Sequence, residues 1–532
     1  MEKIILQGLP PEVSEYISKL EAQVEHLSEI VRVLQKARFG QSSEKARYIL
    51  KDGVTQVSFF NEAEACADEA APEPEITVAP HVRKKKRTKE ELTKTLPVEE
   101  VVIDLPEDER KCNICEGDLH PIGRELVRRE LNVIPSRVYI TEIYSVTYGC
   151  GDCVKESDEA NIIKAPVPEP VVKRGLASPS SAAYTVYQKY VNHMPLYRQE
   201  ADWANHGVKI SRATLANWVI YVCLNWLTPL YILMKSLLLE SPVIHADESV
   251  VQVLKEDGKT PQSESRMWAY CSGNTGAPPI VLFEYQPDRA GIHPKEFLAG
   301  FTGFLVTDGY SGYNAVPGVT HCGCWAHQRR KYEEALPKTD KKGSPAAEGL
   351  AYCQKLFALE REFDKNFSSL ISPEERLKQR QERSKPVLDA YFAWVDKTCP
   401  LAGSKLAQAI TYARNQEKPL RAFLSDGRIE ISNNRMENAI RPFTVGRKNY
   451  LFCDTVRGAQ ASAVAYSITE TAKVNGLNPY QYLLRLFTEL PTVLAKDPEA
   501  DLTRFLPWSE DIQKSCGLSA GGNPKNWPRK SA

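Results

Sequence analysis

The sequence predicts an α/β catalytic fold preceded by smaller modules, and three observations lead there. Residues 243–254, 265–272 and 279–287 are β-rich runs separated by turn residues, which reads as a three-strand meander. A helical stretch at 293–300 follows, then a fourth run at 304–309 and a fifth at 319–327 that passes into a helix. Acidic residues stand at telling points of this order: Asp247 inside the first strand and Asp308 at the end of the fourth. The order β-β-β-α-β-α-β-α is that of a ribonuclease H-like fold, with antiparallel hairpins joined to parallel strands and helices on both faces.

A chain of 532 residues is too long for one ordinary core, so several domains are expected. Its 42% hydrophobic and 26% charged residues are those of a soluble globular protein. Lys+Arg and Asp+Glu are 68 each, so any attraction to nucleic acid must come from local patches. The 13 scattered cysteines and the charged N-terminal residues exclude a secreted disulfide scaffold and point to a cytoplasmic protein. Residues 218–234 are strongly apolar, yet Asn225, Thr228 and Pro229 interrupt them. They read as a buried helix broken at Pro229, and no membrane partner is expected.

Val13, Ile17, Leu20, Val24, Leu27, Val31 and Leu34 keep a heptad, so residues 1–50 are expected to hold a coiled-coil helix that makes the chain a homo-oligomer. A single amphipathic helix packed on its own domain fits the same pattern. Residues 51–105 are a linker, acidic at first and basic at 83–89. Over residues 106–156, Cys112-x-x-Cys115 and Cys150-x-x-Cys153 supply the four thiolates of a structural zinc ribbon. Between the two pairs, β-rich runs are placed to form its hairpin. Residues 170–235 are helical, with a break at His206-Gly207, a cap at Ser211 and a second helix from Arg212 to Val219. This is helix-turn-helix grammar, and it makes Arg212 and Asn217 candidate DNA contacts.

The catalytic domain is expected over 240–460, with a helix-rich insertion at about 337–430, and residues 461–532 read as a C-terminal helical tail. Strand alternation puts His245, Asp247 and Ser249 on one face and Ile244, Ala246 and Glu248 on the other. A third acid comes from 432–442: Ser432 is placed to cap a helix that Pro442 limits, with Asn433, Glu437 and Arg441 on one face. Three carboxylates suit two magnesium (or manganese) ions about 3.5–4 Å apart, which activate one oxygen and stabilise another in phosphodiester chemistry. Cys324-x-x-His327 offers two further ligands, and two alone favour a packed strand-to-helix corner. Arg329, Arg330, Arg435, Arg441, Arg447 and Lys448 form the candidate phosphate-binding surface.

The stretches HADES (245–249), TDGYSGYN (307–314), CWAHQRRKYEEA (324–335) and 432–483 closely resemble the large transposase of the bacterial insertion sequence 66 family. The resemblance covers nearly the whole chain. It implies that Asp247, Asp308 and Glu437 are a DDE triad cutting and joining DNA strands, in a nucleoid-associated bacterial protein, with small accessory proteins of the same element as partners. Ser249 stands where the family usually has threonine, and Met436 and Asn438 flank the glutamate less typically; neither change removes a ligand. The residues taken alone leave two other readings open, a catalytically decayed DNA-binding protein and a nuclease without strand transfer.

One consequence is measurable without any structure. Cys115→Ser should remove one equivalent of zinc from the full chain, read by metal analysis; full retention would show that the two cysteine pairs do not form a zinc site.

Overall fold

The computed structural model describes residues 138–149, 162–337, 343–365 and 371–518. The expected coiled coil, the linker and all four ribbon cysteines lie outside the described residues. Strand β1, Thr147–Gly149, pairs antiparallel with β2, Ile162–Lys164. The first of the β-rich runs expected to form the ribbon's hairpin also lies outside the described residues. Residues 138–146 form no strand, and with Tyr139, Ile140, Ile143 and Tyr144 exposed they have no buried face to fix a register.

Helices α1, Pro179–Tyr190, and α2, Leu196–Asn205, come next. Gly207 then takes a left-handed φ of 83°, and Ser211 accepts from the Thr214 N–H to start α3 at Arg212, as its sequence grammar predicts. The break expected at Pro229 does not occur. Instead α3 runs from Arg212 to Leu239 through a π turn at Cys223–Leu227, where the Thr228 N–H reaches back to the Cys223 carbonyl. The register has already slipped there, so the proline ring and its missing donor are absorbed. By length and composition this is the one helix among the described residues able to cross a membrane. Its Leu215, Trp218, Val222, Leu227, Leu230 and Met234 are buried in the protein core.

Strands β3, Val243–Lys255, β4, Glu264–Ser272, and β5, Val281–Gln286, form the antiparallel meander. Helix α4, Ile292–Phe297, leads to β6, Phe304–Thr307, and β7, Thr320–Gly323, both parallel to β3. The sheet order is β5-β4-β3-β6-β7. Alternation splits the core between its faces: Ile244 and Leu305 join one hydrophobic cluster, Val243 and Val306 the other. The second cluster is completed by α5, Trp325–Ala335, and by α6, Pro345–Lys365; α8, Lys385–Lys397; α9, Lys405–Asn415; and α10, Glu417–Arg421, while α7, Pro373–Gln379, buries none of its residues.

Helix α11, Asn434–Tyr450, departs from expectation twice. Its N-cap is Asn433, not Ser432, and it continues through Pro442 to Tyr450. Proline removes only the donor to Asn438, an exposed residue whose carbonyl water can serve. Strand β8, Cys453–Thr455, then pairs with the far end of β3 and leads into α12, Val456–Val474. This helix crosses the boundary expected at 460/461 and is core, not tail. Ser467 Oγ accepts from Phe283 N–H at 2.8 Å and Thr471 Oγ1 from Val281 N–H at 3.1 Å. Asn475 Nδ2, one turn further, donates to the Pro279 carbonyl at 2.8 Å. Three polar residues at i, i+4 and i+8 thus cover the edge strand that would otherwise present free backbone groups. Helices α13, Pro479–Lys496, and α14, Glu510–Cys516, close the first cluster, that of Ile244 and Leu305.

Thr471→Val keeps the volume of that side chain but strips Val281 of a donor and an acceptor. A loss of about 1–3 kcal/mol on chemical denaturation is expected; an unchanged midpoint would show that the helix does not secure this edge.

Candidate active site

Register brings the first two acids together. The parallel pairing of β3 and β6 matches His245 with Val306, and two residues further along each chain stand Asp247 and Asp308. Asp308 follows the last residue of β6, at the carboxyl end where open α/β sheets bind ligands. Its Oδ1 accepts from Tyr310 N–H at 2.9 Å, and Tyr412 donates its hydroxyl to the Asp308 carbonyl at 2.7 Å. Gly309, with φ 90°, makes the turn; a β-carbon there would also meet Gln416 and Tyr412 at 3.1 Å.

Glu437 arrives in the first turn of α11. Its position is fixed one turn earlier by Asn433, which is fully buried. The Asn433 amide donates to the Ala246 carbonyl at 2.9 Å, its Oδ1 lies 3.0 Å from His245 Nδ1, and its backbone N–H meets Cys324 Sγ at 3.1 Å. Trp325 N–H adds a bond to the Ile431 carbonyl at 3.0 Å. Strand β3, the β7–α5 corner and α11 are thereby tied at one point. Glu437 Oε2 lies 3.5 Å from Arg330, and Oε1 lies 3.7 Å from His327 Nδ1.

The electrostatics follow from this crowding. Burial, then Glu248, Asp308 and Glu437, push the Asp247 carboxyl from 3.8 up to about 7, against the opposing pull of the Glu248 N–H at 2.8 Å. The like charge that raises the Asp247 carboxyl is what a divalent cation would relieve, so Asp247, Asp308 and Glu437 fit a metal-binding role by their chemistry. Burial lowers His327, outweighing the nearby Asp308 and Glu437.

Two neighbouring acids have other occupations. Glu248, on the opposite face of β3 as alternation requires, pairs with Arg289 and accepts from the Tyr313 hydroxyl at 2.7 Å. Glu430 lies 2.8 Å from His245 Nε2 and takes two bonds from Arg435, at 2.7 and 2.9 Å. Burial raises its carboxyl, but His245 and Arg435 outweigh that and hold it far below the usual range.

Arg435 is therefore a structural partner and not part of a free basic surface. Arg447 likewise donates to Ser249 Oγ at 3.2 Å and to the Val250 carbonyl. Arg329 is half-buried beside Glu333. Arg212, Asn217, Arg330, Arg441 and Lys448 are exposed. Sequence reasoning missed the Asn433 junction and the Glu430–His245 pair. An amide directly before a helix signalled the first, while nothing local signalled the second.

Comparison with known proteins identifies a family. The family model "Transposase IS66 family" matches residues 174–461, which include all three acids. "Zinc-finger binding domain of transposase IS66" matches 109–154, which include the four cysteines. "Transposase C of IS166 homeodomain" matches 26–101, and "IS66 C-terminal element" matches 467–508. Two relatives from Sinorhizobium fredii, the uncharacterized proteins y4hP and y4qI, are 30% and 31% identical. The alignments cover 92% of this chain in each case, and 88% and 89% of the relatives. With family models matched in succession from residue 26 to residue 508, the chain belongs to the transposase IS66 family.

Proposed function

We propose that this chain is a DNA transposase that cuts and joins the strands of an insertion sequence with Asp247, Asp308 and Glu437 on a ribonuclease H-like core. The observation that carries the reading is the convergence of three acids from separate elements, β3, the end of β6 and α11, at the carboxyl edge of the parallel strands. The sheet order, with its third, second and first strands antiparallel and its fourth and fifth parallel to the first, supports the core assignment.

Two magnesium or manganese ions, when bound, supply an activated oxygen nucleophile and neutralise the leaving oxygen. Asp247, Asp308 and Glu437 would hold the ions. Arg330 steadies Glu437, and exposed Arg441 and Lys448 further along α11 offer phosphate contacts. Arg212 and Asn217, exposed on the first turns of α3, are the proposed groove contacts of a helix-turn-helix formed by α2 and α3. Cys112, Cys115, Cys150 and Cys153 hold a structural zinc. The N-terminal heptads make a homo-oligomer in the bacterial cytoplasm, and accessory proteins of the same element complete the assembly.

Asp247→Asn, Asp308→Asn and Glu437→Gln should each abolish cleavage of element-end DNA in magnesium while DNA binding survives, since binding draws on separate basic residues. Glu334→Gln, exposed on the helix that carries His327, should leave cleavage unchanged. Glu248 and Glu430 make poor controls because both are held in ion pairs. Cleavage by any of the three amide variants would remove that acid from the site, and cleavage without joining would favour a nuclease.

The Asp247 carboxyl also predicts a pH dependence. Folded, it titrates near 7; the ordinary value is 3.8. Between those values the folded state holds a proton that the unfolded chain has lost, so stability falls as pH rises from about 4 through 7. In chelator, Asp247→Asn should therefore be more stable than the parent at about pH 8, by on the order of 1–4 kcal/mol, and nearly equal to it at about pH 4. Equal denaturation curves at both pH values would show that the acids do not strain the metal-free fold.

A further inference from the structure

Three donors of different kinds meet at the β7–α5 corner. Cys324 Sγ, a ring nitrogen of His327 and a Glu437 carboxylate oxygen all lie within 4.8 Å of one another. Cys324 precedes α5 and His327 lies one turn along, so the strand-to-helix corner turns both toward α11. The Asn433 N–H bond to Cys324 Sγ, at 3.1 Å, and the Trp325–Ile431 bond, at 3.0 Å, hold that helix against the corner. The thiol is fully buried. Among the described residues His327 Nδ1 and Glu437 Oε1 are both buried atoms with no hydrogen-bond partner. Two such atoms, 3.7 Å apart and beside a sulfur, are a costly arrangement for an ordinary packed corner.

We propose that Cys324, His327 and Glu437 form a transition-metal site of the class that takes Zn2+. Zinc bonds of about 2.0–2.3 Å set tetrahedral donors roughly 3.3–3.8 Å apart, so the His327–Glu437 separation already suits the ion. The mixed sulfur, nitrogen and oxygen set favours zinc over magnesium, which keeps to oxygen. Three protein ligands leave a fourth position open. Zinc there takes Oε1 of Glu437 and leaves Oε2 beside Arg330. A second consequence rests on the proposed function: zinc and the catalytic ions then draw on one carboxylate, and zinc opposes cleavage.

The test is zinc content of the full chain, loaded with excess zinc and then equilibrated with a competing chelator. The parent should hold one equivalent more than Cys324→Ser and one more than His327→Gln, with Cys115→Ser lowering the content independently. His327→Gln guards against misfolding at the buried cysteine, and far-UV circular dichroism checks both variants. Equal zinc in the parent and both variants overturns the site. This measurement needs no catalysis, so an inactive protein would refute the proposed function and leave the site standing. In an active one, added zinc should slow magnesium-dependent cleavage in the parent and slow it less in Cys324→Ser. Equal slowing overturns the shared carboxylate.

Discussion

The buried amide of Asn433 is the joint on which the site depends. A fully buried amide must find partners for its donors and acceptor, and this one finds them on β3, while its backbone N–H finds the sulfur at the β7–α5 corner. Removing it would leave the Ala246 carbonyl and His245 Nδ1 short of a partner inside the protein, at roughly 1–3 kcal/mol each. The same bonds set where α11 begins, and one turn into α11 is Glu437. Residues 188 positions apart, His245 and Asn433, thus fix a distance that neither β3 nor α11 could fix alone. The Glu430–Arg435 pair, on the other side of His245, braces the segment that enters the helix.

Holding three acids at one sheet edge works against folding. Their mutual repulsion shows in the raised Asp247 carboxyl, and the compensation is partial: Arg330 approaches Glu437 only to 3.5 Å. Opposite charge is used fully where an acid serves structure, as at Glu430 and Glu248, and sparingly where the three carboxylates converge at the sheet edge. Unsatisfied charge surrounded by satisfied charge is the pattern of a binding site.

Much of this was legible in the sequence, and the failures have identifiable causes. Strands β3 to β7, the end of α2 and the start of α3 follow from β-rich runs, Gly207 and Ser211, because those signals are local, whereas β8 is too short to stand out. Pro229 and Pro442 were read as helix ends by a rule that prices proline in isolation. In the fold a π turn absorbs one, and an exposed carbonyl makes the other tolerable. Helix α12 is buried nearly all round and carries Ala, Ser and Thr, so it lacks the one-sided stripe that marks a core helix in a sequence. Arg435 and Arg447 looked like surface cations because their partners, Glu430 and the β3 backbone, become neighbours only through the turn into α11 or across the sheet.

The two consecutive acids of β3 carry the last step. Asp247 and Glu248 have the same charge and adjacent positions, so composition and spacing cannot rank them. The pleat does: successive side chains leave a strand on opposite faces. On one face Glu248 meets Arg289 and Tyr313, which sit over the opposite side of the sheet, and becomes a fixed part of the wall. On the other, Asp247 feels Asp308 and Glu437 and forms no ion pair among the described residues, so burial and like charge raise it together. A one-residue slip of β3 against β6 would exchange these fates, placing Glu248 beside Asp308 and Asp247 against Arg289. The register His245 with Val306, secured by the Asn433 bonds to His245 and Ala246, is therefore what decides which of the two acids joins Asp308 and Glu437.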